Sequence, residues 1–156
     1  MSGYALNVSL AVLVVVVCVV LAAIGMSGCA ETGEEKKGAK TILIVLNRAP
    51  YDGTDVAWNA LRLVGKLKDD GTNVRLFLMN DSVDLAREST KAPEDYFDLV
   101  EDVKKLIAKD VPVKACGTCQ TRCGIHKGEG YYEGAEKGTL GDLSEWVRES
   151  DQVITF

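Results

Sequence analysis

Three cysteines, Cys116, Cys119 and Cys123, fall within the run Lys114-Ala115-Cys116-Gly117-Thr118-Cys119-Gln120-Thr121-Arg122-Cys123-Gly124-Ile125-His126. The thiolate is the reactive form of cysteine, as nucleophile and as metal ligand. Three chemistries fit this spacing: sulfur-atom transfer through a persulfide, thiol–disulfide exchange, and metal or cluster binding. In the first two, Cys116 is the reactive thiol, and Cys119, one turn on, is a resolving or second thiol. In the third, Cys116, Cys119, Cys123 and His126 form a Cys-x2-Cys-x3-Cys-x2-His string. Four such ligands suit tetrahedral zinc, and three cysteines suit a cluster with an open iron. All of them come from one short segment, whereas structural zinc sites draw on two separated pairs, so metal ranks below sulfur chemistry. A single cysteine is as often a small buried hydrophobe. Three so close together, beside glycines at the end of a strand, argue against that reading.

The thiols need elements to hold them. Val111 to Ala115 is a short strand, with Pro112 near its start, and the chain turns after it toward a short helix. A thiol at such a turn faces unpaired backbone N–H groups, which favour the thiolate; Lys114 and Arg122 add positive potential. Upstream, Thr41 to Leu46 is a continuous apolar run, the pattern of a strand buried on both faces. A loop comes next, through Pro50 and Gly53. A helix capped by Thr54 or Asp55 carries Ala57, Ala60, Leu61, Val64 and Leu67 at helical spacing and stops at Gly71. Val74 to Met79 is a second strand, Asn80-Asp81-Ser82 a turn and cap, and Val83 to Arg87 a short helical piece. Asp95 to Ala108 predicts a helix with Tyr96, Leu99, Val100, Val103, Leu106 and Ile107 on one face. Leu140, Leu143, Trp146 and Val147 mark a last helix capped by Thr139 or Asp142, and Gln152 to Phe156 a final strand. Alternating strands and helices predict an α/β fold: a Rossmann-like parallel sheet of four or five strands with helices on both faces. Such sheets bind ligands beyond the carboxyl ends of their strands, here the loops Asn47–Gly53, Asn80–Ser82 and Cys116–Gly138.

Composition excludes several functions. The net charge is −5 and no basic run of five or more residues occurs, so nucleic acid is not an expected partner. The loop after the first strand is not Gly-x-Gly-x-x-Gly, and no phosphate-binding Walker loop is present. No cofactor is expected.

The N-terminus is of a different kind. Val8 to Ile24 is one apolar run broken only by Ser9, and no charged residue precedes Glu31. Seventeen residues make roughly 26 Å of helix, close to the hydrocarbon thickness of a bilayer. Met26-Ser27-Gly28-Cys29 resembles a lipoprotein processing site, which makes residues 1–29 a signal or anchor segment with lipidation at Cys29. Residues 30–39 then form a flexible tether and residues 40–156 the folded domain. This predicts a membrane-anchored, extracytoplasmic lipoprotein. The alternative is an uncleaved single-pass anchor with a cytoplasmic domain, which Lys36, Lys37 and Lys40 favour.

The stretch from Lys40 to Phe156 resembles the DsrE/DsrF-like family, which includes sulfur-relay proteins. The resemblance is carried by Pro50-Tyr51-Asp52-Gly53-Thr54-Asp55 with Trp58-Asn59-Ala60, by Phe77-Leu78-Met79-Asn80-Asp81 with Val83-Asp84-Leu85-Ala86, by the Ala115-Cys116-Gly117-Thr118-Cys119 turn, and by Gly138-Thr139-Leu140 through Ile154. It implies assembly into trimers or hexamers and a persulfide-carrying cysteine at Cys116. That thiol would take sulfane sulfur from a donor protein or small thiol and pass it to an acceptor, as a carrier or a sulfurtransferase. Cys123 and the membrane segment depart from the family pattern.

Other residues have plainer readings. His126, the one histidine, reads as a loop residue, and Trp58 and Trp146 as core. Asp52 and Asp81 read as caps or turn residues near the site. Tyr131-Tyr132 reads as a subunit contact.

Overall fold

A computed structural model describes residues 39–122 and 130–156. The apolar run Val8 to Ile24, Cys29, Cys123 and His126 lie outside the described residues. Among the described residues no helix is long and apolar enough to cross a membrane.

The apolar run at 41–46 forms the centre of the sheet. Strand β1 (Thr41–Leu46) pairs in parallel with β2 (Asn73–Leu78) on one side and β5 (Gln152–Thr155) on the other. Beyond β2 lie β3 (Val113–Cys116) and β4 (Ala135–Gly138), giving a five-stranded parallel sheet in the order β4-β3-β2-β1-β5. A strand with neighbours on both edges and helices on both faces has no room for polar side chains, and Ile42 through Leu46 are all buried.

Side chains alternate between the faces. Ile42, Ile44 and Leu46 join Leu76, Leu78 and Val113 under helix α1 (Val56–Asp69) and helix α2 (Leu99–Ala108). Leu43, Val45 and Phe77 point the other way, where Trp146 of helix α4 (Leu140–Glu149) closes over them. That second core is thin. Trp146 meets Phe77 edge-on at 6.1 Å between ring centroids, and the cations of Arg75 and Lys114 lie over its ring at 5.5 and 5.0 Å.

Helix ends obey the local sequence. At the end of α1, Gly71 takes φ +80°, donating to the Lys68 carbonyl while Thr72 donates to Leu67. This pair of bonds is the Schellman closure, and glycine adopts its left-handed residue at no steric cost. At α4, Thr139 Oγ1 accepts from the Asp142 N–H and the Asp142 carboxylate accepts from the Thr139 N–H, a reciprocal capping box.

Several expectations are corrected. Helix α2 starts at Leu99, not Asp95: Asp95 has φ +61°, and Asp98 caps the helix by accepting from the Glu101 N–H. Tyr96 and Phe97 therefore precede the helix. Tyr96 donates to Asp55 at 2.8 Å, and Phe97 stacks on the half-buried Trp58 at 4.6 Å. Leu140 and Val147, which mark the last helix in the sequence, are exposed, and α4 buries its face through Trp146. Tyr132 is not a surface contact. It is buried, and its hydroxyl donates to the Leu85 carbonyl at 2.6 Å. Strand β4 lies inside a stretch that reads as a loop, since Ala-Glu-Lys-Gly carries no apolar run, and it pairs on one edge alone.

Candidate functional site

The carboxyl ends of β1 to β3 and the turn beyond β4 converge on an open cleft of about 620 Å³. Asn47 comes from the end of β1. Met79, Asn80 and Asp81 come from the end of β2 and the 3-10 helix Asn80–Ala86. Cys116, Thr118, Cys119 and Arg122 come from β3 and helix α3 (Gly117–Arg122). Leu140, two residues past β4, is the first residue of α4.

Buried hydrogen bonds fix two of these walls. Ser82 is fully buried, and its hydroxyl donates to the Leu46 carbonyl at 2.6 Å while accepting from the Met79 N–H at 2.8 Å. The Met79 N–H also reaches Leu46 O at 2.8 Å. The ends of β1 and β2 are thereby locked together, and Asn80 leaves β2 in the left-handed region, φ +53°, a conformation asparagine adopts more readily than most residues.

Cys116 ends β3, and Cys119 sits one turn into α3. Both are half-buried with no disulfide between them, and the backbone N–H of Cys119 donates to Cys116 Sγ at 3.3 Å. The thiolate is the reactive form of cysteine, and here a backbone amide hydrogen is directed at the sulfur. Arg122 brings a guanidinium to the same cleft. Lys114 does not: its side chain lies on the α4 face, where its ammonium donates to Asp142 at 2.5 Å. That pairing, first, and the bonds from Thr139, second, hold the Asp142 carboxyl far below the usual carboxylate range. The pair ties β3, which carries the thiol, to the start of α4, which carries Leu140.

Tyr131 packs beside the thiols. Its hydroxyl donates to the Ala115 carbonyl at 3.4 Å, and residue 131 bridges Arg87 in antiparallel fashion. Burial, and then negative charge on Cys116 and Cys119, pushes its phenol up to about 12, so it stays neutral at physiological pH.

Of the residues singled out from sequence, Cys116, Cys119, Arg122 and Asp81 share the cleft. Asp52 does not line it. Its carboxylate accepts from the Thr54 hydroxyl and from Arg48, which hold it below its ordinary range. No group of three His, Cys, Asp or Glu side chains among the described residues could hold a metal ion. The four-ligand string needs Cys123 and His126, which lie outside them. Sequence reasoning missed Leu140 and Tyr131 as site residues. Leu140 carried no such signal, because β4, which sets it at the carboxyl edge of the sheet, reads as a loop in the sequence.

Comparison with known proteins agrees with this architecture. The DsrE/DsrF-like family model matches residues 40–156. The YchN protein of Escherichia coli strain K12 is 39% identical over 117 residues, covering 74% of this chain and 97% of its own. An uncharacterized protein of Methanopyrus kandleri is 36% identical over 120 residues, covering 77% and 97% respectively. The crystal structure of the Escherichia coli ychN protein superposes with a TM-score of 0.67, covering 75% of this chain and 99% of that one. A conserved protein of unknown function from Bacteroides thetaiotaomicron, 15% identical with a TM-score of 0.53, shares the fold.

Proposed function

The chain belongs to the DsrE/DsrF-like family, and from that premise we propose that it carries sulfane sulfur as a persulfide on Cys116. The Cys116 thiolate attacks the outer sulfur of a donor persulfide, R–S–SH. A bond forms between Cys116 Sγ and that sulfur, the donor's S–S bond breaks, and the donor departs as a thiolate. Delivery is the same step in reverse order: an acceptor thiolate attacks the outer sulfur and Cys116 leaves as the thiolate.

The observation that supports this reading is the Cys119 N–H directed at Cys116 Sγ at 3.3 Å, on a residue that also lines an open cleft. The amide lowers the cost of carrying charge on Sγ in both half-reactions, when Cys116 attacks and when it leaves. Cleft dimensions leave space for a donor's sulfur-bearing side chain or a small thiol beside it. Arg122, in the same wall, favours anionic partners such as a persulfide or polysulfide.

Intact mass after anaerobic exposure to inorganic polysulfide tests the reading. The native chain gains increments of about 32 Da, one per sulfur atom, that thiol reductant removes. The Cys116→Ser variant loses the increment mapped to the 114–122 segment. Sulfur loading at that segment without Cys116 overturns the proposal.

The same reading takes residues 1–29 as a membrane anchor lipidated at Cys29, and the sulfur donors and acceptors as proteins or thiols met at that membrane. Trimeric or hexameric assembly belongs to the same proposal. Fatty-acid labelling abolished by Cys29→Ser, and light-scattering mass of the 40–156 domain, test these two points.

A further inference from the structure

We infer that the site also releases the sulfur it carries: Cys119 resolves the Cys116 persulfide, expelling hydrosulfide and closing a Cys116–Cys119 disulfide that an external dithiol reopens. The inference rests on the carrier reading above.

Geometry sets the second thiol at the right place. Cys119 donates its own N–H to Cys116 Sγ at 3.3 Å, so its Cα is anchored beside the inner sulfur and its Sγ is one short side chain away. Cys116 is the residue just before α3 and Cys119 is the third residue of that helix, a separation of roughly 5 Å between Cα atoms and inside the range a disulfide spans. Both thiols are half-buried and line the same cleft. Negative charge on either sulfur also opposes ionisation of the nearby Tyr131 phenol.

The chemistry favours attack at the inner sulfur. In Cys116–S–SH the outer sulfur extends about 2 Å beyond Sγ, toward the open cleft and the partners that enter it. Cys119 is tethered at Sγ itself. Its thiolate forms the Sγ119–Sγ116 bond, the bond from Sγ116 to the outer sulfur breaks, and the electron pair leaves with that sulfur as HS⁻. The proton lost by the Cys119 thiol passes to water. The Cys119 sulfur is oxidised and the sulfane sulfur is reduced to sulfide. Hydrosulfide is a weakly basic thiolate-like leaving group, and low leaving-group basicity speeds such exchange. A dithiol reductant then supplies two electrons and two protons, restoring both thiols and becoming a disulfide itself. The sum converts a donor persulfide and a dithiol to a donor thiol, sulfide and a disulfide. Delivery to an acceptor and release of sulfide thus compete for one intermediate, and Cys119 governs the ratio.

A single-turnover experiment on the full chain separates this from carriage alone. The native chain, Cys119→Ser and Cys123→Ser are loaded anaerobically with inorganic polysulfide and freed of excess. Sulfide is trapped with an alkylating fluorophore while intact mass and peptide maps are followed. The native chain and Cys123→Ser release about one sulfide per chain and finish about 2 Da lighter than the reduced protein, with Cys116 linked to Cys119. Cys119→Ser keeps its sulfur at least about tenfold longer. Release from Cys119→Ser at the native rate, or release lost in Cys123→Ser, overturns the inference. If native chain and Cys119→Ser both load and both hold their sulfur, this inference falls and the carrier reading stands. If Cys116 never loads, both fall.

Discussion

The hydroxyl of Ser82 donates to the carbonyl of Leu46 at 2.6 Å, and both partners are fully buried where β1 and β2 end at the cleft. A buried carbonyl deprived of its donor loses its hydrogen bond without regaining water. Ser82→Ala is expected to cost about 1–3 kcal/mol in urea unfolding. The loss should appear in the midpoint with an unchanged slope. A midpoint equal to that of the native protein would show that the Met79 N–H alone satisfies Leu46.

Asp142 makes the acid limb of stability a test of the link between β3 and α4. Lys114 and then Thr139 hold its carboxyl well below the usual range. A depressed carboxylate contributes stability that is complete above the unfolded value, about 3.9, and that drains away as pH falls below it. Asp142→Asn should therefore be less stable than the native chain at pH 7, and the gap should narrow toward pH 3. Urea midpoints at the two pH values measure this. A gap that does not change would assign Asp142 a role in shape alone.

Gly138 stands opposite Cys116 in the β3–β4 register. A Cβ there would sit 2.9 Å from Phe77 Cε2 and 3.1 Å from Lys114 Cβ, inside contact distance of two side chains held in the thin second core. Gly138→Ala is expected to destabilise by about 1–3 kcal/mol through overpacking. Combining it with Phe77→Leu, which vacates the contact, should recover part of that loss in a double-mutant cycle. Strict additivity of the two losses would count against the contact.

Tyr131 reports on the thiols by spectroscopy. Its phenol, raised to about 12 by burial and then by charge on Cys116 and Cys119, should ionise late in an alkaline titration monitored at the tyrosinate band. Replacing both cysteines by serine should lower that value while leaving it above the ordinary 10, because burial remains. A group whose folded value is raised stabilises fully below its unfolded value and loses that contribution as pH climbs toward the folded one. Tyr131→Phe should therefore lose stability less steeply than the native chain between about pH 10 and 12. Titration of Tyr131 unmoved by loss of the thiols would separate it from them.

The legibility of each segment in the sequence depends on how much it must hide. Ile42 to Leu46 advertise a doubly covered strand because every one of them is buried. The first core is likewise written in the spacing of Ala57, Ala60, Leu61 and Val64. Strand β4 is silent, since an edge strand with exposed Glu136 and Lys137 needs no apolar pattern to pair with β3. The early start expected for α2 came from Tyr96, whose apolar ring fits the helical period but whose hydroxyl is bound to Asp55 outside the helix. At the site, the spacing of Cys116 and Cys119 placed the two thiols together. The loops that begin at Asn47 and Asn80 were expected at the same end of the sheet, whereas bringing Leu140 there required strand β4 and its place in the strand order, which no local pattern encodes.

That strand order has a consequence for biogenesis. β1 has β5 as its second neighbour, and the Asp151 carboxylate accepts from the Thr41 N–H across 110 residues of chain. While a ribosome is still making the intervening residues, one flank of the most apolar strand stays open, and no local hairpin can shield it. Chaperone demand should thus be greatest before β5 emerges. The protein's exposure to misassembly is set by the timing of synthesis as much as by the finished fold.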